Sequence, residues 1–232
     1  MMNDYQSLHT TDPDFMARFE HFAFDEVPNE EGQTLPEETR YLAILASLIG
    51  CGGEAAYREL LSRALDAGLA PAAVKETVYQ AFDYLGMGRA WPFLAVTNAV
   101  FSDRGIALPL ADQTRTTMDD RLEKGAGAQA EIFGEQMRKA WKAGHINRWL
   151  AANCFGDYYT RGGLDLAQRE LITFCFLAAQ GGCEPQLIAH AKGNMNLGSD
   201  AAFLGRVVSQ ILPYIGYPRS LNAMTCIQKA SE

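Results

Sequence analysis

The sequence predicts an all-α protein made of two tandem helical repeats packed as one compact unit. Three observations predict it. Apolar residues recur at helical spacing along nearly the whole chain. Sustained polar/apolar alternation and Asn-Gly hairpin turns, the marks of strands, are missing. A set of residues in the first half returns in the second half at a fixed offset.

The elements follow from start and stop signals. Asp12-Pro13 opens a helix that runs to about Phe24. Thr34 and Glu37 around Pro36 fit a capping box with an N1 proline, and the helix they open carries the stripe Leu42, Leu45, Ala46, Ile49 up to Gly50–Gly53. The next helix spans Glu54–Ala67 and closes on Gly68, a C′ glycine. Pro71 starts another that ends near Gly86, and Ala90–Asp103 forms the last of this half. The pattern lapses over Gly105–Asp112, around Pro109. Helices are then expected at about Thr114–Lys124, Ala128–Ala143, Asn147–Tyr158, Leu166–Gln180, Glu184–Leu197, Asp200–Pro213 and Arg219–Lys229.

The repeat is visible in Gln80-x3-Tyr84-x-Gly86-x2-Arg89, which returns as Gln210-x3-Tyr214-x-Gly216-x2-Arg219 at an offset of 130. Gly68 and Gly198 share that offset, while Arg40 and Arg169 match at 129, a one-residue slip near the glycine pairs 52–53 and 181–182. The expected organisation is a first, degenerate repeat over 1–104, a linker over 105–114 and a second repeat over 115–232. A helical unit of this kind cannot bury its faces alone and would pack against its copy.

Composition narrows the function. Interspersed charges with a net value of −8 lack the basic stripe that nucleic acid requires. A small anionic organic substrate remains compatible, since one local cation can hold a carboxylate. The longest apolar stretches, Tyr41–Cys51 and Leu171–Ala179, are too short for a membrane span, and the N-terminus has no signal-peptide pattern. The five cysteines (Cys51, Cys154, Cys175, Cys183, Cys226) show neither CxxC nor zinc-ligand spacing, so reduced thiols and a cytoplasmic protein are expected. His9, His21 and His145 are scattered, and no metal site is expected.

Several motifs of the second half resemble gamma-carboxymuconolactone decarboxylases. They are Gly156-Asp157-Tyr158-Tyr159-Thr160-Arg161-Gly162-Gly163-Leu164-Asp165 followed by Arg169-Glu170-Leu171, with Arg121-x3-Gly125 and Phe133-Gly134 upstream and His190-x2-Gly193 and Gly198 downstream. The likeness covers residues 115–232 well and 14–103 loosely, as a diverged copy. It places the chain in the carboxymuconolactone decarboxylase-like superfamily. The resemblance implies an all-α fold and a homo-oligomer: one-unit members form hexamers or trimers, so a two-unit chain would form a trimer that imitates a hexamer. It also implies cofactor-independent chemistry.

Leu166–Gln180 and Glu184–Leu197 are joined by a Gly-Gly turn and should run antiparallel. Glu170 and His190 then lie at nearly the same level, within a few Å along the axes. A carboxylate on one ring nitrogen would fix the tautomer and raise the basicity of the other, as an acid–base pair requires. A buried Glu–His bond that only ties two helices together reads equally well from the residues alone, and the resemblance favours catalysis. In the first repeat the aligned positions are Tyr41 and Leu60, so one active site per chain is expected.

Cys183 stands at a helix start, where the dipole favours a thiolate, and Cys183, Gln186 and His190 fall on one helical face. The related alkylhydroperoxidase branch carries Cys-x2-Cys-x3-His at this place. Gln186 replaces its second cysteine, which puts thiol–disulfide cycling in doubt. Arg219, Arg161 and Lys192 are candidates for substrate carboxylates, whereas Arg40 and Arg89 are expected in structural ion pairs. The leading expectation is a lyase of the decarboxylase type acting on a small carboxylated lactone or keto acid. The competing ones are a single-cysteine peroxidase and a non-enzymatic oligomeric binding protein.

Overall fold

The computed structural model describes residues 5–232. Among the described residues there are thirteen α-helices and no strands. In order these are α1 (Tyr5–Thr11), α2 (Pro13–Glu20), α3 (Val27–Asn29), α4 (Glu37–Cys51), α5 (Glu54–Asp66), α6 (Pro71–Leu85) and α7 (Met87–Asp103) in the first half. The second half holds α8 (Arg121–Phe133), α9 (His145–Trp149), α10 (Leu166–Gln180), α11 (Glu184–Asn196), α12 (Ala201–Ile215) and α13 (Tyr217–Ser231). Wider π-helical turns occupy His21–Glu26 and Leu150–Tyr159, and a 3₁₀ segment covers Glu135–Ala143.

Two expected helices are redrawn. Thr114–Lys124 is irregular up to Asp120, because Asp112 accepts from the backbone and hydroxyl of Thr114 and Asp120 from the Thr117 amide, locking turns where a helix would start. The helix is instead Arg121–Phe133, and Gly134, at φ +99°, ends it before the 3₁₀ segment. The capping box expected at Thr34 does not form: Pro36 is the N-cap of α4 and no side chain caps it. A reciprocal box does form at α10, where Asp165 Oδ1 accepts from the Gln168 amide at 2.8 Å and Gln168 Oε1 from the Asp165 amide at 3.0 Å.

The centre of the molecule is α4 of the first repeat packed on α10 of the second, both buried along almost their whole length. One apolar core runs from Tyr41 to Ala230 and draws on both halves. The repeats also exchange hydrogen bonds. Arg40 Nε donates to Gln210 Oε1 at 2.9 Å, and Arg169 Nη1 donates to Gln80 Oε1 at 2.9 Å. Each arginine thus meets the glutamine of the other repeat, so the residues that recur in sequence are those that join the two copies. Arg40 and Arg89 bond to amide oxygens, of Gln210 and Gln180, rather than forming the expected ion pairs.

Helix α8 packs onto the π-helical segment at an unusually short distance. A Cβ on Gly125 would fall 1.8 Å from the Ala151 carbonyl, and one on Gly156 would fall 2.2 Å from that of Arg121. Any side chain at either position would push the two segments apart.

Candidate functional site

Helices α10 and α11 form the expected antiparallel hairpin around Gly181-Gly182, both at φ +71°. The cap at Asp165 fixes the start of α10 and with it the inward direction of Glu170, which has no exposed surface. His190 of α11 meets it: Nδ1 lies 2.8 Å from Glu170 Oε2 and 3.1 Å from Oε1. Asn194, one turn on, donates from Nδ2 to the backbone carbonyls of Glu170 (2.9 Å) and His190 (2.8 Å), stapling the helices at that level.

A carboxylate accepts and cannot donate, so Nδ1 carries the proton and Nε2 of the neutral ring is bare. The histidine side chain keeps 11% of its surface exposed, with the rings of Tyr84 and Phe133 standing edge-on to it, each 5.4 Å away between centroids. Gly193 makes room for the carboxylate: a Cβ there would come within 2.5 Å of Glu170 Oε2.

Behind the pair runs a chain of hydroxyls that sequence reasoning missed. Tyr159 donates to Glu170 Oε1 at 2.7 Å. Its single hydrogen is thereby used, so at 2.8 Å each Tyr84 and Thr173 donate to the Tyr159 oxygen. Cys154 Sγ approaches the Tyr84 hydroxyl at 3.7 Å. Burial holds both phenols well above the usual tyrosine range, so they act as neutral donors. Tyr84 comes from α6, in the first repeat, so the site is built across the junction of the copies. The available signal was Tyr84's place in the repeated Gln-x3-Tyr motif; Tyr159 gave none beyond its position beside the Arg161 motif.

Other candidate residues fall elsewhere. Arg161 forks onto Glu76 through Nε and Nη2, at 2.9–3.1 Å, and Glu76 also receives Arg169 Nη2 at 3.0 Å. Arg219 lines a cleft of about 220 Å³ with Arg89 and Gln180, at the far end of α10. Ten residues of helix separate Gln180 from Glu170, about 15 Å of rise. Lys192 is exposed, and at two residues from His190 it points to another face of α11. Gln186 is exposed one turn before His190.

Cys183 is the N-cap of α11, two turns or about 10 Å of rise from His190. Its Sγ donates to the Leu177 carbonyl at 3.5 Å. Burial, with a smaller push from Glu184, raises the thiol above the usual cysteine range. The thiolate expected from the helix terminus is therefore opposed by desolvation.

Among the described residues the first repeat holds no counterpart of the pair. Tyr41 and Leu60 stand buried in the apolar core. The Tyr214 hydroxyl, equivalent to that of Tyr84, is buried without a hydrogen-bond partner among the described residues. His9 and His21 face Glu20 (3.0 Å) and Asp25 (3.5 Å). Among the described residues no group of three or more His, Cys, Asp or Glu is placed to hold a metal. Nor is any helix long and apolar enough to cross a membrane.

Fold and site define a two-unit helical protein with a single buried carboxylate–imidazole hairpin. A model described as the carboxymuconolactone decarboxylase family matches the chain twice, over residues 13–99 and 145–229, about three quarters of its length. The chain belongs to that family, as a member with two copies of its unit. No curated protein matches it.

Proposed function

We propose that this protein is a cofactor-independent lyase that uses the Glu170–His190 pair for acid–base catalysis on a small carboxylated lactone or keto acid. The observation that carries the reading is the 2.8 Å bond from His190 Nδ1 to a fully buried carboxylate, in a ring whose other nitrogen is unengaged. Family membership agrees with decarboxylase or alkylhydroperoxidase-like chemistry.

When a carboxylate leaves a muconolactone-type substrate as carbon dioxide, its bonding pair moves through the conjugated system onto the lactone oxygen. A carbon then takes up a proton. His190, having first taken a proton from solvent at its bare Nε2, delivers that proton to the carbon and returns to the neutral ring, while Glu170 holds the ring and stabilises the transient imidazolium. Tyr84 and Tyr159 keep the Glu170 carboxylate in place. Tyr159, which donates to Glu170, borders a cavity of about 480 Å³ that carries Arg115 and Lys124 alongside Glu131 and Asp165; Arg161, also on its wall, is held by Glu76, and neither Glu170 nor His190 lines this cavity.

The test is turnover of a carboxylated muconolactone, followed by carbon dioxide release. His190→Ala and Glu170→Gln abolish it while helicity and assembly stay intact; retained activity in both removes the assignment. The peroxidase alternative predicts peroxide consumption that fails in Cys183→Ser. The raised Cys183 thiol and the glutamine at 186 both weigh against it.

We also infer self-association, in keeping with the trimer expected from the resemblance. Met87 and Trp91 on α7, and Tyr217 and Leu221 on α13, are exposed large apolar residues at equivalent places in the two repeats. Such paired stripes suit contacts between copies of the chain.

A further inference from the structure

The molecule contains a larger cavity, of about 560 Å³, that includes neither Glu170 nor His190. Helices α6 and α7 form one wall and the linker segment 108–113 forms the other. Its volume falls in the range of roughly 300–1,000 Å³ typical of small-molecule sites.

One wall carries an electrostatic anomaly. Lys75 is only 6% exposed, and its ammonium forms no ion pair among the described residues. Its Nζ donates to Asn98 Oδ1 and stands 5.6 Å from the Tyr79 ring centroid. The adjacent acid, Glu76, is 1% exposed and is consumed by Arg161 and Arg169, two guanidinium groups sharing one carboxylate. Asp112, on the exposed rim, turns one oxygen to Thr114. The balance of Lys75, Arg161 and Arg169 against Glu76 and Asp112 leaves one positive charge uncompensated at the cavity. A buried ammonium without a counter-ion is costly, and burial accordingly pulls Lys75 below the usual lysine range. Packing of the repeat does not demand it, since the position 130 residues on is Gly205.

We propose that this cavity is a second ligand site, distinct from the proposed catalytic pair, and that it takes a small organic carboxylate. The anionic group sits on Lys75 Nζ, with the Asn98 Nδ2 and a free Arg161 N–H beside it. The hydrocarbon body lies against Tyr79, Leu108 and Leu110. One net positive charge beside an apolar wall suits a monocarboxylate better than inorganic phosphate, which has no hydrocarbon body to set against Tyr79, Leu108 and Leu110.

The probe is benzoate, titrated calorimetrically into the full-length protein, with benzamide as its neutral isostere and inorganic phosphate as the anion without an apolar body. Saturable benzoate binding is expected, with benzamide and phosphate at least tenfold weaker. Lys75→Met should weaken benzoate at least tenfold while leaving the melting temperature equal or higher, because an apolar side chain replaces an uncompensated charge. Leu110→Trp fills the cavity from the linker side and should also abolish binding, with Lys75 intact. His190→Ala should bind benzoate as the wild type does, which separates this site from the proposed catalytic one. The proposal is overturned if millimolar benzoate fails to bind the wild type, or if Leu110→Trp or a folded Lys75→Met retains full affinity. It is equally overturned if binding is lost in His190→Ala instead.

Discussion

Gly193→Ala is the sharpest probe of the Glu170–His190 geometry, because it adds one methyl group against the atom that matters. A Cβ at 193 would stand 2.5 Å from Glu170 Oε2, 2.9 Å from Phe133 Cε1 and 3.0 Å from Ile132 Cγ2. An ordinary carbon–oxygen contact is roughly 3.3 Å, so the carboxylate must retreat by about 0.8 Å. Phe133 and Ile132 crowd the same methyl group, so it cannot relieve the contact with the carboxylate at no cost. Oε2 is the same oxygen that holds His190 Nδ1 at 2.8 Å. Such a shift carries that bond past the ~3.2 Å limit of a good N–H···O bond unless the ring follows. Overpacking of this kind costs about 1–3 kcal/mol. For a chain of this size that is a fall in melting temperature of about 2–12 °C. A catalytic group displaced by nearly an ångström loses on the order of 100-fold in rate.

The assay pairs kcat on a carboxylated muconolactone with thermal unfolding by circular dichroism. Gly127→Ala is the control: its nearest neighbour would be Arg138 Nη1 at 3.8 Å, and as a helical glycine-to-alanine change it should stabilise by about 0.4–1 kcal/mol. Wild-type turnover and melting temperature in Gly193→Ala would refute the reasoning, since the carboxylate would then be free to move without consequence.

Other perturbations have equally definite outcomes. Glu76→Gln leaves Arg161 and Arg169 facing each other without their shared carboxylate; breaking a buried pair this way costs about 3–5 kcal/mol, and an unchanged denaturation midpoint would contradict the clasp. Asp83 is raised from 3.8 to about 8 by burial, with a further push from Asp157, so its neutral form is the one the fold favours. Its contribution is complete below pH 3.8 and is lost as the pH rises towards 8; Asp83→Asn should flatten the decline in melting temperature across that window, and an identical pH profile would dismiss it. Trp91→Glu combined with Leu221→Glu should shift the protein to a smaller species in analytical ultracentrifugation, whereas an unaltered sedimentation coefficient would place the subunit contacts elsewhere.

Much of this molecule was determined by the sequence through short-range physics. Helix spacing, proline and glycine punctuation and the 130-residue offset gave an all-α chain with two units. The meeting of Glu170 and His190 was legible because two residues on either side of a Gly-Gly turn have their relative level set by helical rise alone. Boundaries failed where side chains competed locally with the backbone, as Asp112 and Asp120 do before α8.

Tertiary structure alone decided what faces the pair and what lies far from it. Tyr84 arrives from the other repeat, and Tyr159 from a π-helical turn that no periodicity announces. Cys183 is desolvated, Arg219 sits at the opposite end of α10, and Arg161 is already committed to Glu76. Periodicity tells which face of a helix turns inward. It is silent on which residue, 70 or 90 positions away, stands opposite, because that depends on how the two copies close on each other.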